Sequence, residues 1–230
     1  MPRLEVIVTS AAEALIAESG GADRLELVRA LDTGGLTPEW ETVREVTETV
    51  SIPVRVMLRG NASMSLKGQD ELAALQTAAV GLQKLRIDGI VMGWIGSTGE
   101  LDVVTLESIL EVAPRSKVTF HRAFEHVADP FDALRVLKRY GQIDRILTGG
   151  GVGSWSERKK RLRAWRAAAK PEIEILVGGG LSDAEAAELM GATEFSEVHV
   201  GRAARTPQEN DGAIDPEKIA FLKSKSRRGQ

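Results

Sequence analysis

The chain has 230 residues, 43% of them hydrophobic and 27% charged, with 30 basic against 33 acidic side chains. That length suits one domain with a full core, and a net charge of −3 gives no electrostatic reason to expect nucleic acid or an anionic membrane as partner. There is no cysteine, which excludes disulfides, zinc–thiolate sites, iron–sulfur clusters and thiol catalysis. The opening Met-Pro-Arg-Leu-Glu-Val-Ile-Val enters a strand pattern directly, and no apolar run approaches the ~20 residues of a membrane span. A cytoplasmic location is expected.

A strand is expected over 4–8, followed by a helix opened by Ser10 and Glu13 at capping-box spacing. Gly21 stops that helix ahead of a strand over 24–28. Thr37-Pro38 sets a capping oxygen before a proline and opens the next helix, which leads to a strand over 54–59. A helix over 69–85, a strand over 88–92 and a helix capped by Asp102 follow, then a strand over 117–121. Asp129-Pro130 opens a helix, and Gly141 precedes a strand over 144–148. Ser154 and Glu157 open a helix carrying Arg158-Lys159-Lys160-Arg161-Leu162-Arg163 between Trp155 and Trp165, which reads as a solvated basic face. A strand over 173–177, a helix opened by Ser182 and Glu185 and stopped at Gly191, and a strand over 197–200 complete the series. A polar loop over about 206–214, a last helix over about 216–225 behind Asp215-Pro216, and a frayed basic tail from Ser224 to Gln230 close the chain.

Eight short, nearly continuous apolar strands alternating with helices predict parallel strands joined by right-handed crossovers. Their even spacing favours a single (β/α)₈ TIM barrel over residues 1–230, rather than an open doubly wound sheet.

Alternate strand residues face opposite sides, and a charge facing the helices would be buried without a partner. The charged parity is therefore assigned to the lumen: Glu5, Ile7, Glu26, Val28, Arg55, Met57, Arg59, Thr119, His121, Glu174 and His199. The other parity (Leu4, Val6, Leu25, Leu27, Val54, Val56, Val118, Phe120, Ile173, Ile175, Val198, Val200) is wholly apolar. Barrel enzymes work at the C-terminal ends of their strands. Arg59, His121, Arg122 and His199 lie at such ends, Glu26 and Glu174 are placed mid-strand, and Glu5 sits low as an ion-pair partner. Glycines mark strand ends at 149–151, at 178–180 and at Gly201. Backbone N–H groups of Gly179, Gly180 and Gly201, beside Arg202 and the helix opened by Ser182, form an expected cradle for a phosphate or carboxylate.

Taken together, Glu5 in Leu-Glu-Val, GGADRLEL (20–27), GGLTP (34–38), PVRVMLR (53–59), DGIVMGWIGSTGELD (88–102), VTFHRAFE (118–125), DRILTGGG (144–151), IEILVGGG (173–180) and EVHVGRAAR (197–205) resemble the CutC copper homeostasis family. The resemblance runs in order from about residue 4 to 205 and implies a cytoplasmic, homo-oligomeric TIM barrel with a role in copper handling. It maps Glu5, Glu26, Arg59, His121, Arg122, Glu174 and His199 onto the family's polar pocket. This chain departs from the pattern at Ile7 and Val28, where members often carry cysteine, in Arg59-Gly60-Asn61-Ala62-Ser63, at Glu125 in place of Asp, and at Gly201-Arg202.

Three functions stay open at this level. Copper as a cofactor enters only through the resemblance, because Cu(I) prefers sulfur ligands and only Met57, Met64 and Met92 are placed near the mouth. A divalent metal on His121, Glu174 and His199 is a related option. An isomerase, epimerase or lyase acting on a small anionic or phosphorylated molecule would use Arg59 and Arg202 as anion anchors. His121 would be its acid or base, partnered by Glu26 or Glu174. No lysine ends a strand, so Schiff-base chemistry is not expected. A barrel that binds without catalysis is the third.

Overall fold

The computed structural model describes residues 1–226 and is a closed parallel barrel in which each strand pairs with the next and the eighth pairs with the first. Its strands are β1 (Arg3–Val8), β2 (Arg24–Leu27), β3 (Val54–Met57), β4 (Gly89–Met92), β5 (Lys117–Phe120), β6 (Ile143–Thr148), β7 (Glu174–Val177) and β8 (Glu197–Val200). Around them run α1 (Ala11–Ser19), α2 (Trp40–Thr49), α3 (Gln69–Leu82), α4 (Val103–Val112), α5 (Pro130–Leu137), α6 (Trp155–Ala169), α7 (Asp183–Gly191) and α8 (Pro216–Ser226). The expected TIM barrel is what the chain forms. No helix of the described residues is long and apolar enough to cross a membrane.

The parity rule holds in the packing. Every apolar residue assigned to the outer face, from Leu4 to Val200, belongs to one buried cluster between sheet and helices. Ile7, Val28, Met57 and Val91 form a second, separate cluster inside the barrel. Ile7 and Val28 thus fill the lumen with hydrocarbon.

Local signals behave as their chemistry dictates, with informative exceptions. Ser154 and Ser182 make full capping boxes with Glu157 and Glu185, and Asp102 and Asp129 accept from the first backbone N–H groups of α4 and α5. Ser10 caps α1, but Glu13 reaches back to Thr9 rather than to Ser10. Thr37-Pro38 does not open α2. That helix starts at Trp40, and Thr37 is taken by the loop after β3, its hydroxyl accepting from the Arg59 N–H at 2.8 Å. The basic face of α6 is more engaged than a solvated surface: Arg158 and Arg161 donate to the carbonyls of Gly149 and Gly150 at 2.6 Å, and Lys159 and Arg163 pair with Glu188 and Glu194.

The expected polar loop after β8 contains a two-stranded antiparallel ladder, β9 (Arg205–Thr206) with β10 (Ala213–Ile214). Buried Arg205 pins it by donating to both oxygens of Glu13 on α1, at 2.7 and 2.9 Å. Ser224 to Ser226 continue α8 instead of fraying, and Ser226 is buried, while the rest of the expected tail lies outside the described residues.

Candidate functional site: a polar mouth above a charged floor

The lower barrel is closed by a belt of ion pairs. Arg24 bridges Glu5 and Glu197, Arg145 joins Glu197 to Asp144, and Arg55 joins Asp144 to Asp88 while donating to Thr119 at 2.8 Å. Arg55 is fully buried, so its desolvation is offset only because each nitrogen meets an oxygen. Every cation of this belt has a carboxylate, which marks it as structural.

Above it opens a cavity of about 380 Å³. Nine of the ten residues proposed from sequence line it: Glu26, Arg59, His121, Arg122, Gly179, Gly180, His199, Gly201 and Arg202. Glu174 does not. It is the first residue of β7, at the N-terminal end of the barrel, 3.8 Å from Lys170. Its parity was right, but its height puts it at the opposite end from the mouth. The metal set His121, Glu174 and His199 therefore does not converge. Gly149, Gly150 and Gly151 are absent from the lining and serve as a turn, whereas Gly179 and Gly180 are in the mouth. Met57 and Met64 line the cavity, but Met92 packs outward among the helices.

His199 lies between two glutamates. Its Nδ1 is 2.8 Å from Glu5 Oε1 and its Nε2 is 3.4 Å from Glu26 Oε2, with all three side chains buried. Burial works against charge on the imidazole, but Glu26 and Glu5 outweigh it and raise its pKa. Burial also disfavours the Glu5 carboxylate, yet Arg24 and His199 win and hold it well below the usual carboxylate range. Glu26 is different. Burial, with Glu5 beside it, pushes its carboxyl up to about 7 against the pull of His199 and Arg24. Its Oε1 has no hydrogen-bond partner among the described residues.

His121 directly follows β5, and its Nδ1 accepts the Ala123 N–H at 3.1 Å. Burial, reinforced by the positive charge of Arg59, lowers its pKa to about 3, so the ring is neutral at physiological pH. A neutral ring that accepts at Nδ1 carries its proton on Nε2. That Nε2 is buried and has no partner among the described residues.

Arg59 is 3% exposed and donates only to carbonyl oxygens: Gly34 and Gly35 of the loop after β2, each at 3.3 Å, and Ala62 and Ser63 of its own loop. No carboxylate within salt-bridge distance compensates its charge among the described residues, and burial lowers its pKa. It clamps two loops, but its cation faces the cavity unpaired. Arg202, exposed on the rim, likewise has no carboxylate partner among them. Arg122, by contrast, is held by Glu125 at 2.8 Å.

Glu125 was missed as a site residue from sequence. Its other oxygen accepts the Gly149 N–H at 2.6 Å, tying the loops after β5 and β6 together, a role set by tertiary contact alone. Leu31 to Gly34 and Asn210, from the loops after β2 and β9, complete the rim and carried no local signal.

The backbone N–H groups of Gly179, Gly180, Gly201 and Arg202 find no acceptor among the described residues. Ser182 and Glu185, however, close the start of α7 on themselves, so the expected contribution of that helix end is already satisfied by its own carboxylate.

Copper fits this donor set poorly. Glu5, Glu26 and His199 offer three atoms within 4.8 Å of one another, but His199 is engaged by carboxylates at both nitrogens and Glu5 is committed to Arg24. The soft ligands that Cu(I) prefers are limited to Met57 and Met64. By its geometry the cluster is an imidazole hydrogen-bonded to Glu5 on one side and in a longer charge contact with Glu26 on the other.

Sequence comparison adds kinship to this geometry. The sequence profile of the CutC family matches residues 2–204. The human copper homeostasis protein cutC homolog is 37% identical over 196 residues, spanning 84% of this chain and 71% of the relative. A CutC family protein from Vibrio vulnificus strain YJ016 is 31% identical over 230 residues, covering 99% of this chain and 88% of its own. The crystal structure of CutC from Streptococcus agalactiae superposes with a TM-score of 0.79 at 24% identity, covering 86% of this chain and 98% of that one.

Proposed function

The chain belongs to the CutC family, and we propose that it serves copper homeostasis by binding a small anionic molecule in its barrel mouth rather than by holding copper on the protein. The copper role comes from the name of the human relative. The anion is the reading of this site, and one observation carries it: Arg59, 3% exposed, has its positive charge turned to the cavity with only neutral oxygens around it. A buried cation without a counter-ion is costly, and an anionic ligand removes that cost. Arg202 and the four N–H groups of Gly179, Gly180, Gly201 and Arg202, without acceptors among the described residues, form a second anchor on the facing loops. Glycine lets the backbone approach a ligand closely there. A phosphate or carboxylate sits at this second anchor, and the other end of the molecule points its electron-rich oxygens at Arg59 and His121. The family resemblance further supports a cytoplasmic homo-oligomer.

The test is the melting temperature in phosphate and in sulfate. Both ions raise it in the native chain, and Arg202→Ala removes most of the rise. No response to either ion, or an undiminished response in Arg202→Ala, contradicts the reading.

A further inference from the structure

We infer that the mouth catalyses proton transfer at the carbon beside a carbonyl, isomerising a small 2-hydroxy aldehyde or ketone that carries a phosphate or carboxylate, with Glu26 as base and His121 as electrophile. The inference rests on the anion-binding reading above and adds the chemistry. Two buried polar atoms among the cavity-lining residues lack any partner among the described residues: Glu26 Oε1, an acceptor, and His121 Nε2, a donor by the tautomer argument. An unmet acceptor and an unmet donor in one pocket, beside an uncompensated arginine, match what enolisation needs. A base must take the carbon-bound proton, and a donor and a cation must meet the charge that develops on oxygen.

The step balances without any co-reactant. The Glu26 carboxylate removes the proton. The electron pair of that C–H bond forms a carbon–carbon double bond, and the carbonyl π pair moves to its oxygen. Arg59 stabilises the enediolate oxygen, and His121 gives it the Nε2 proton. His121 then recovers a proton from the neighbouring hydroxyl, whose oxygen becomes the new carbonyl. Glu26 returns its proton to the adjacent carbon, which completes the isomerisation.

Burial suits both groups to their tasks. A carboxyl pushed up to about 7 is a strong enough base and still ionises near neutrality, and an imidazole depressed to about 3 stays neutral beside Arg59. The groups facing Glu26 are His199 from β8, Glu5 from β1 and Arg24 from its own strand. Arg55, its neighbour on β3, is taken by Asp88 and Asp144. His199 is a positioning residue, held by Glu5 on one nitrogen and 3.4 Å from Glu26 on the other.

The test is deuterium exchange in D₂O, read by proton NMR, with dihydroxyacetone phosphate and ribulose 5-phosphate as probes. Binding of each probe is measured separately by calorimetry on the same preparations. The native chain should exchange the carbon-bound proton at least about 100-fold faster than buffer, in the range of acid–base catalysis. Glu26→Gln should bring exchange to background while keeping affinity within about threefold, and it controls for contaminating isomerases. The native rate should rise as pH passes through about 7. Should Glu26→Gln not fold, His121→Ala and the native pH profile decide the matter. Binding without exchange in the native chain, or exchange that survives Glu26→Gln, overturns the chemistry but leaves the anion site standing. Failure of both probes to bind overturns both.

Discussion

The Ala123 N–H donates to His121 Nδ1 at 3.1 Å, and this one bond fixes which nitrogen of the buried ring bears the proton. It also favours the neutral ring, because imidazolium has no lone pair left to accept it.

A pH signature follows. With a pKa lowered to about 3 in the fold and about 6.5 in the unfolded chain, His121 takes up a proton on unfolding at any pH between those values. Its contribution to stability is intact above pH ~6.5 and is lost as the pH falls toward 3. Glu26 acts in the opposite sense, because its raised pKa makes the fold lose stability as pH rises from the ordinary carboxyl range to about 7. In His121→Gln the first effect disappears and the second remains. Urea melts at pH 6.5 and pH 4.5 should therefore show the variant gaining on the native chain by on the order of 2 kcal/mol at the lower pH. An equal pH response in both chains would mean that His121 titrates normally.

Gly179 has φ +105°, and a Cβ added there would come within 2.5 Å of Arg122 Nε. Gly179→Ala should thus destabilise by about 1–3 kcal/mol, from the left-handed backbone and the collision together. Adding Arg122→Ala should recover only the part due to the collision. Full recovery in the double variant would show that the backbone angle carries no strain.

Much of this was legible because charge and parity are strong constraints. Lumenal Glu26, His121 and His199 could be chosen from sequence since a charge on the outer parity would have faced Leu, Val and Ile packed under the helices. Height along a strand is weaker information. Glu174 and His199 share an inward parity, yet one begins β7 and the other is the third residue of β8, so only His199 reaches the mouth. Thr37-Pro38 carries a helix-start signal that lost to a tertiary bond with Arg59. Glu125, Asn210 and the belt through Arg24, Arg145 and Glu197 depend on contacts between residues far apart in sequence, such as the 173 positions separating Arg24 from Glu197. No local pattern encodes those.

Copper(I) should bind without tight stoichiometry. The chain has no thiol, and only Met57 and Met64 bring thioethers to the cavity. Competition against a strong Cu(I) chelator, on protein purified without an affinity tag, should leave the metal with the chelator. Retention of one equivalent, lost on Met57→Leu with Met64→Leu, would establish a copper site and contradict this account.

The central claim is that an anion occupies the mouth between the loops after β7 and β8. Amide nitrogen–proton NMR during a phosphate titration reads that place directly, since the N–H groups of Gly179, Gly180, Gly201 and Arg202 have no acceptor among the described residues. These four signals should shift together and saturate with a single dissociation constant, and the set should stay still in Arg202→Ala. Four unmoved signals at saturating phosphate, or shifts confined to the basic side chains of α6, would contradict it.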